Sequence, residues 1–331
     1  MKAEALETSA AMQAPWSISL PAAKRILRRK DLHWGDRIFY WLVALAALGV
    51  AGLLFLILGF LTYSALPTLS KFGLDFLLSK NWDPVNGEFG ALPFVFGTVV
   101  SSLLAMLLAT PLSVGIALFL NELAPRRLAK LVGFLIEMLA AIPSVVYGLW
   151  GIFVLAPWLR TTVQPLLGET LGFLPLFQGP PYGVGMMTAG IILAIMVIPT
   201  ISSLAKEVFR AIPRSNREAA LALGATRWET MRLAVLKSSK TGIFGAVILG
   251  LGRALGETMA VTMVIGNRND ISASLFAPAQ TMASIIANEY AEATTNMHLA
   301  ALAEIGLVLF AVTFLINGIA RLMIWKIKGK A

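Results

Sequence analysis

Residues 38–63 read IFYWLVALAALGVAGLLFLILGFLTY and contain no charged side chain. A helix needs about 20 apolar residues to cross the hydrocarbon core of a membrane. This run has 26 residues, which is more than that length requires. The stretch therefore predicts a membrane-spanning helix.

Five more apolar runs follow the first one along the chain. Their length and continuity exclude the alternating ten-residue pattern of a membrane barrel. Five prolines in residues 156–182 argue against a long helix there. We therefore predict an all-α, polytopic membrane protein with six transmembrane helices. The five further spans are placed at residues 91–120, 131–155, 183–205, 241–265 and 299–320.

The composition of the whole chain agrees with that prediction. Of its 331 residues, 57% are hydrophobic and 14% are charged, whereas soluble domains have about 25% charged residues. The absence of cysteine excludes disulfides, thiol catalysis, zinc ribbons and iron–sulfur ligation. The two histidines, His33 and His298, are too far apart in the sequence to indicate a histidine-rich metal site.

The positions of the basic residues predict how the chain is oriented. The chain has 27 Lys and Arg, of which 22 precede the first span, follow the sixth, or lie in the second-to-third and fourth-to-fifth connections. Four lie in the other connections, and Arg253 lies inside the fifth span. Because basic residues concentrate in cytoplasmic segments, we expect both termini in the cytoplasm.

The basic connection at residues 206–240 has the pattern of two short helices joined by a sharp turn. Ser215 and Glu218 form a capping-box pattern that predicts a helix start at Asn216. Gly224 can end that helix in a left-handed conformation. A second capping-box pattern, at Thr226 and Glu229, predicts a second helix leading into the fifth span.

The first of these helices presents a surface suited to a protein partner. Ala219 and Ala220 have small side chains that let another backbone approach closely, and Arg217 can bind acidic groups at the rim. An amphipathic helix lying on the lipid surface is the alternative interpretation. The pattern alone leaves both open.

Arg253 and Glu257 are charged residues inside the fifth span. An arginine near mid-bilayer costs about 2.5–3.5 kcal/mol on insertion scales, and such a residue is a functional candidate by default. Glu257 lies four residues further, on the same face of a continuous helix, so the two side chains can pair. Gly252 and Gly256 form a seam where another helix can approach. The residues predict an anion site, and a structural ion pair is the alternative.

Two further carboxylates fall inside predicted spans. Glu137 lies in the third span and Glu304 in the sixth. We treat both as possible supporting intramembrane residues that pack or form hydrogen bonds.

The residues quoted so far, with several others, carry a resemblance to a known family. Glu218-Ala219-Ala220, three residues and then Gly224 form the pattern of the EAA loop of ABC importer permeases, between the same spans. The chain resembles the phosphate permeases of such importers, of the PstC type, which are binding-protein-dependent inner membrane components with a MetI-like fold. The other matching stretches are residues 82–84, 115–125, 141–151 and 250–267.

The resemblance implies a domain organisation. It gives a cytoplasmic basic segment at 1–37, a first transmembrane helix at 38–63 and a periplasmic segment at 64–90. A permease core at 91–320 contains the coupling loop 206–240, and a cytoplasmic basic tail follows at 321–331. The family's loop ends in Ile-x-Leu-Pro, whereas this chain has Ala234, Leu236 and Lys237. Lys237 in place of proline predicts a second helix that bends less sharply where it meets the fifth span.

The resemblance also implies partners. These are a second permease subunit of the PstA type, an ATPase homodimer of the PstB type that takes the coupling loop, and a periplasmic phosphate-binding protein of the PstS type. The chain has no Gly-x-x-x-x-Gly-Lys-Ser/Thr loop, so we expect ATP and Mg to bind to the ATPase partner and this chain to have no cofactor or enzymatic activity of its own. A location in the bacterial inner membrane follows. The alternatives are a permease for molybdate or sulfate and an ATP-independent secondary transporter.

Overall fold

The computed structural model describes residues 34–328, and most of them are helical. The predicted N-terminal basic residues up to residue 33 lie outside the described part of the chain. Within that part, extended pairing is limited to two isolated bridges, Asp83 with Glu88 and Gly266 with Ala279. The helices are α1 Trp34–Phe72, α2 Asp75–Leu78, α3 Leu92–Leu123, α4 Arg126–Ala141, α5 Ser144–Leu171, α6 Met186–Arg210, α7 Arg214–Ala222, α8 Arg227–Leu255, α9 Met259–Val264, α10 Met282–Glu289 and α11 Asn296–Lys328.

Six of the described helices are long and apolar enough to cross a membrane, namely α1, α3, α5, α6, α8 and α11. The prediction of an all-helical protein with six such helices is confirmed. The chain divides into two units, residues 1–58 and 59–331. In the first, the described helix from Trp34 onward exposes nearly all of its apolar side chains.

The third membrane-length helix differs from the prediction. Residues 131–155 are divided between α4 and α5, because the chain leaves the helix at Ile142 and Pro143. The apolar helix α5 instead continues to Leu171, through a region predicted to be non-helical. Its prolines are accommodated because Pro157 and Pro165 each follow a π-helical turn, whose wider spacing relieves the clash of a proline ring with the preceding turn.

The main core lies where α3, α5, α6, α8 and α9 meet, and the pair α3–α6 has the most extensive packing. Because lipid is as apolar as these side chains, close packing rather than exclusion of water holds such helices together. A Cβ on Gly190 would lie 2.5 Å from Cδ2 of Leu104, so glycine is what lets α3 and α6 approach this closely.

Two smaller clusters lie at opposite ends of α3. The loop-side cluster joins the C-terminal ends of α3 and α6 to the first half of α8. It consists of Ala117, Ala205, Phe209, Ile212 and Val235. The opposite cluster joins α2, the start of α3, α10 and α11 and includes Phe76, Phe94, Met282 and Ile305. The helices are therefore fixed to one another at both ends.

Candidate functional site

The backbone is interrupted in the middle of the predicted fifth span. The long helix α8 ends at Leu255, Gly256 has φ −95° and ψ 0°, and α9 begins again at Met259. Non-helical backbone at membrane depth is tolerated only where protein buries it or where it lines a water-filled cavity. Transporters place their substrates at such discontinuous helices, so this break is the first feature of a candidate site.

Arg253 lies two residues before the end of α8. Its Nη1 donates a hydrogen bond to Oγ1 of Thr200 at 3.0 Å, and the side chain is half-buried. Thr200 is presented by α6 directly after Pro199, which lies inside that helix. A cation near a helix C-terminus also interacts favourably with the helix dipole. Among the described residues, the guanidinium is therefore held by a neutral hydroxyl and not by a carboxylate.

Glu257 lies in the break and does not pair with Arg253. Its Oε1 accepts a hydrogen bond from the backbone N–H of Ala260, at 3.3 Å, at the start of α9. Among the described residues, no ion pair joins Glu257 to Arg253. The predicted pairing is wrong because it assumed a continuous helix, and the helix ends between the two residues. Arg253 lies in the last turn of α8, and Glu257 lies in the irregular backbone that follows it.

The predicted glycine seam is open within this chain. A Cβ on Gly252 would meet nothing within 4 Å, and one on Gly256 would approach only the carbonyl of Gly252. The close approach occurs instead at Gly250, where a Cβ would lie 2.6 Å from Ile201. No other helix within residues 34–328 packs closely on the face formed by Gly252 and Gly256.

The two further carboxylates lie apart from this break. Glu137 is exposed on α4, which has 16 residues and is not one of the six membrane-length helices, so its position inside the membrane stays a prediction. Glu304 is only 2% exposed on α11, and its Oε2 has no hydrogen-bond partner among the described residues. Its surroundings include Thr68, which donates a hydrogen bond to the carbonyl of Ala300.

The loop between α6 and α8 has the predicted helix–turn–helix form. The first helix, α7, starts at Arg214, two residues earlier than predicted, because extended Pro213 precedes it and Ser215 makes no capping bond. Gly224 has φ +83°, the left-handed conformation predicted for it. The second capping box is confirmed, since Thr226 and Glu229 exchange hydrogen bonds at the start of α8.

Beyond its capping box, α8 runs without interruption from Arg227 to Leu255. Lys237 lies inside this helix, after a π-helical turn at Met231–Leu236, and its N–H donates to the carbonyl of Arg232. A proline at this position would remove that hydrogen bond. The helix is therefore not broken at Lys237, and the predicted smaller bend at this position stays a prediction.

The surface of α7 is open to a partner. Glu218 and Ala219 are exposed, Ala220 is half-buried, and no residue of α7 is fully buried. Exposed apolar side chains continue this surface across the turn, with Leu223 at 90% and Trp228 at 61%. Exposed apolar side chains are typical of interaction surfaces where they form one continuous patch.

Arg217 is the exception on α7, because its side chain turns inward. Its Nη2 lies 2.8 Å from Oε1 of Glu122, at the end of α3. The predicted position at the rim of a partner site is therefore not the one that the structure shows.

Sequence reasoning missed one polar cluster at the opposite end of the molecule. Nε2 of His298 and Nε1 of Trp82 each lie 2.8 Å from Oε2 of Glu289, and the His298 ring stacks on Phe89. Only the structure reveals the cluster, since Trp82 lies 207 residues before its partner Glu289 in the sequence. No group of metal-ligating side chains is found among residues 34–328.

Comparison with known proteins identifies the family of the chain. Residues 109–328 match the family described as binding-protein-dependent transport system inner membrane component. The chain belongs to this family, and it is therefore a multi-pass membrane permease of an ABC transporter complex that contains other subunits.

Within this family, the chain is similar to phosphate transport permeases from several bacteria. The chain is 51% identical over 266 residues to the phosphate transport system permease protein PstC of Mesorhizobium japonicum, covering 79% of this chain and 81% of the relative. It is 44% identical over 317 residues to the PstC protein of Pasteurella multocida, covering 92% and 99%.

Solved structures show the same fold at low sequence identity. A bacterial ABC transporter that imports the acidic polysaccharide alginate matches with a TM-score of 0.55 and 18% identity, over 89% of this chain and 98% of that one. The inward-facing MetNI methionine ABC transporter matches with a TM-score of 0.52 and 15% identity, over 70% and 94%. These likenesses support the predicted MetI-like architecture.

Proposed function

We propose that this chain is the transmembrane permease subunit of an ATP-driven phosphate importer and forms half of the translocation pathway. The observation that carries the proposal is Arg253, held by Thr200 beside an interrupted helix at membrane depth. The high identity to PstC permeases from two bacteria supports phosphate as the substrate over molybdate or sulfate.

The chemistry of the site suits a tetrahedral oxyanion. A guanidinium offers a planar fork of N–H donors that matches two oxygens of phosphate. Because Thr200 occupies one donor of Arg253, the others bind the anion as it passes. The carboxylate of Glu257, in the break that follows Arg253, limits how tightly the site retains phosphate. A single arginine gives weak selectivity, so the second permease subunit, of the PstA type, contributes basic residues of its own.

Movement of the site is driven through the loop between α6 and α8. Glu218, Ala219 and Ala220, together with the turn at Gly224, form the surface that an ATPase subunit of the PstB type binds. ATP and Mg bind to that ATPase homodimer, and this chain is not catalytic. A periplasmic phosphate-binding protein of the PstS type delivers the substrate at the opposite end. Both termini lie on the cytoplasmic side of the bacterial inner membrane.

The test is uptake of labelled phosphate in cells that lack their own phosphate permeases. The cells carry this chain with its partner permease, ATPase and binding protein. We expect uptake that arsenate inhibits and molybdate does not, and that disappears when the ATPase subunit is omitted. Inhibition by molybdate and not by arsenate would show that phosphate is not the substrate. Uptake without the ATPase subunit would show that the chain is a secondary transporter.

A further inference from the structure

The side chain of Arg217 connects the exposed loop helix to two membrane helices. Its Nε lies 3.2 and 3.3 Å from the two carboxylate oxygens of Glu122, and its Nη2 lies 2.8 Å from Oε1. The same guanidinium donates to the carbonyl of Ile212 at 2.9 Å and to that of Phe209 at 3.0 Å. One arginine of α7 therefore binds the end of α3 and the end of α6 together.

The partners of Arg217 are themselves fixed in place. Phe209 and Ile212 are buried in the loop-side cluster, where α3, α6 and α8 meet. The carboxylate of Glu122 also accepts a hydrogen bond from Nδ2 of Asn121, at 2.6 Å. The α7 end of the contact is thus attached to a packed junction of three membrane helices rather than to a loose segment.

The pair is shielded from water, unlike a nearby ion pair of the same type. The side chains of Arg217 and Glu122 are 20% and 13% exposed, whereas those of Arg210 and Glu207, on α6, are 58% and 66% exposed. Exposed pairs contribute little to stability. A shielded guanidinium that makes several charge-assisted bonds is directional and costly to break.

The contact between Arg217 and Glu122 matters because the rest of α7 is weakly packed. No residue of α7 is fully buried, so the helix has little apolar packing of its own to hold it against the membrane helices. A force applied to its exposed surface needs a firm connection to reach α3 and α6.

We propose that Arg217 and Glu122 form a clasp that makes α7 move as one body with the ends of α3 and α6. Arg217 is in this account a positioning residue, and not a contact to the ATPase. The inference rests on the proposed function for its role in transport. The geometry of the clasp itself can be tested without any partner or substrate.

The first test measures the distance between α7 and the end of α3 in the full-length chain alone, in lipid nanodiscs. The chain has no cysteine, so spin labels attach only to cysteines that are introduced. We place these at two exposed positions, Leu223→Cys and Leu123→Cys. We expect a single narrow distance distribution that is lost in Arg217→Gln and in Glu122→Gln. An equally narrow distribution in both variants would overturn the clasp.

The second test uses the assembled transporter in vesicles and compares phosphate uptake with ATP hydrolysis. For Arg217→Gln and Glu122→Gln we expect the ATPase subunits to remain bound and hydrolysis to continue, while phosphate transported per ATP falls about tenfold. The double variant should be no worse than either single variant. Arg217→Lys, which keeps the charge without the fork of donors, should be impaired as well. The matched control is Arg210→Gln, which breaks the exposed pair and should leave the ratio unchanged.

Three outcomes separate the alternatives. Loss of the ATPase subunit in Arg217→Gln but not in Glu122→Gln would make Arg217 a docking residue and overturn the proposal. If uptake and ATP hydrolysis fall in equal proportion, the pair only stabilises the structure, and the proposal is also overturned. If the unaltered transporter does not import phosphate, the proposed function fails, and the distance measurement still decides the clasp.

Discussion

Gly250 and Gly252 are two glycines on one turn of α8 with different surroundings. A Cβ on Gly250 would lie 2.6 Å from Ile201 and 2.8 Å from Val197, both on α6. A Cβ on Gly252 would meet nothing within 4 Å. Gly250 therefore serves packing within the chain, while Gly252 belongs to a face that the chain leaves open.

A pair of alanine substitutions tests this difference. Because overpacking a tight contact costs about 1–3 kcal/mol, we expect Gly250→Ala to lower the midpoint of thermal unfolding of the purified chain. Gly252→Ala is the control and should leave that midpoint unchanged. If the open face receives the second permease subunit, Gly252→Ala should instead weaken assembly with it, measured by co-purification. Equal unfolding midpoints for the two variants would contradict the packing shown at Gly250.

Arg253 shows what a sequence can and cannot give at the scale of a residue. An arginine inside an apolar run is conspicuous because of its insertion cost, so its importance can be predicted. The hydrogen-bond partner of Arg253 cannot be predicted in this way. Thr200 is 53 residues away and meets Arg253 only because α6 packs on α8. The inward turn of Arg217 toward Glu122, 95 residues away, escapes prediction for the same reason.

At the scale of elements, two similar capping patterns in the same loop behave differently. Thr226 and Glu229 form both bonds of a capping box, whereas Ser215 lies inside the first turn of α7 and caps nothing. Loss of a cap costs about 1 kcal/mol. We therefore expect Thr226→Ala to speed amide hydrogen exchange several-fold at Arg227–Thr230. The matched change Ser215→Ala should leave exchange in α7 as it was, and faster exchange there would contradict the observed helix start.

Helix boundaries were predictable where local chemistry decides them. The left-handed Gly224 and the start of α8 follow from residue types within a few positions. The break after Leu255 and the passage of α5 through Pro157 depend on tertiary packing and on π-helical turns, which have no local signature. Both errors placed a helix end wrongly while the number of membrane-length helices was right.

At the scale of the whole molecule, the distribution of basic residues predicts the orientation. Val85 and Leu223 are 94% and 90% exposed and lie in connections assigned to opposite sides of the membrane. Because the chain has no cysteine, Val85→Cys and Leu223→Cys each give a single reactive thiol. We expect a membrane-impermeant maleimide to label only Val85→Cys in spheroplasts and only Leu223→Cys in inside-out vesicles. The reverse pattern would invert the topology.

The measurement that tests the central claim most directly is labelled-phosphate uptake by the assembled transporter with Arg253→Gln. The control is Arg160→Gln, which removes an exposed arginine from another membrane-length helix, α5. If Arg253 binds the anion on its way through the membrane, Arg253→Gln assembles normally and loses uptake, while Arg160→Gln transports like the unaltered chain. Uptake that is equal in all three would contradict the role of Arg253 in the translocation pathway.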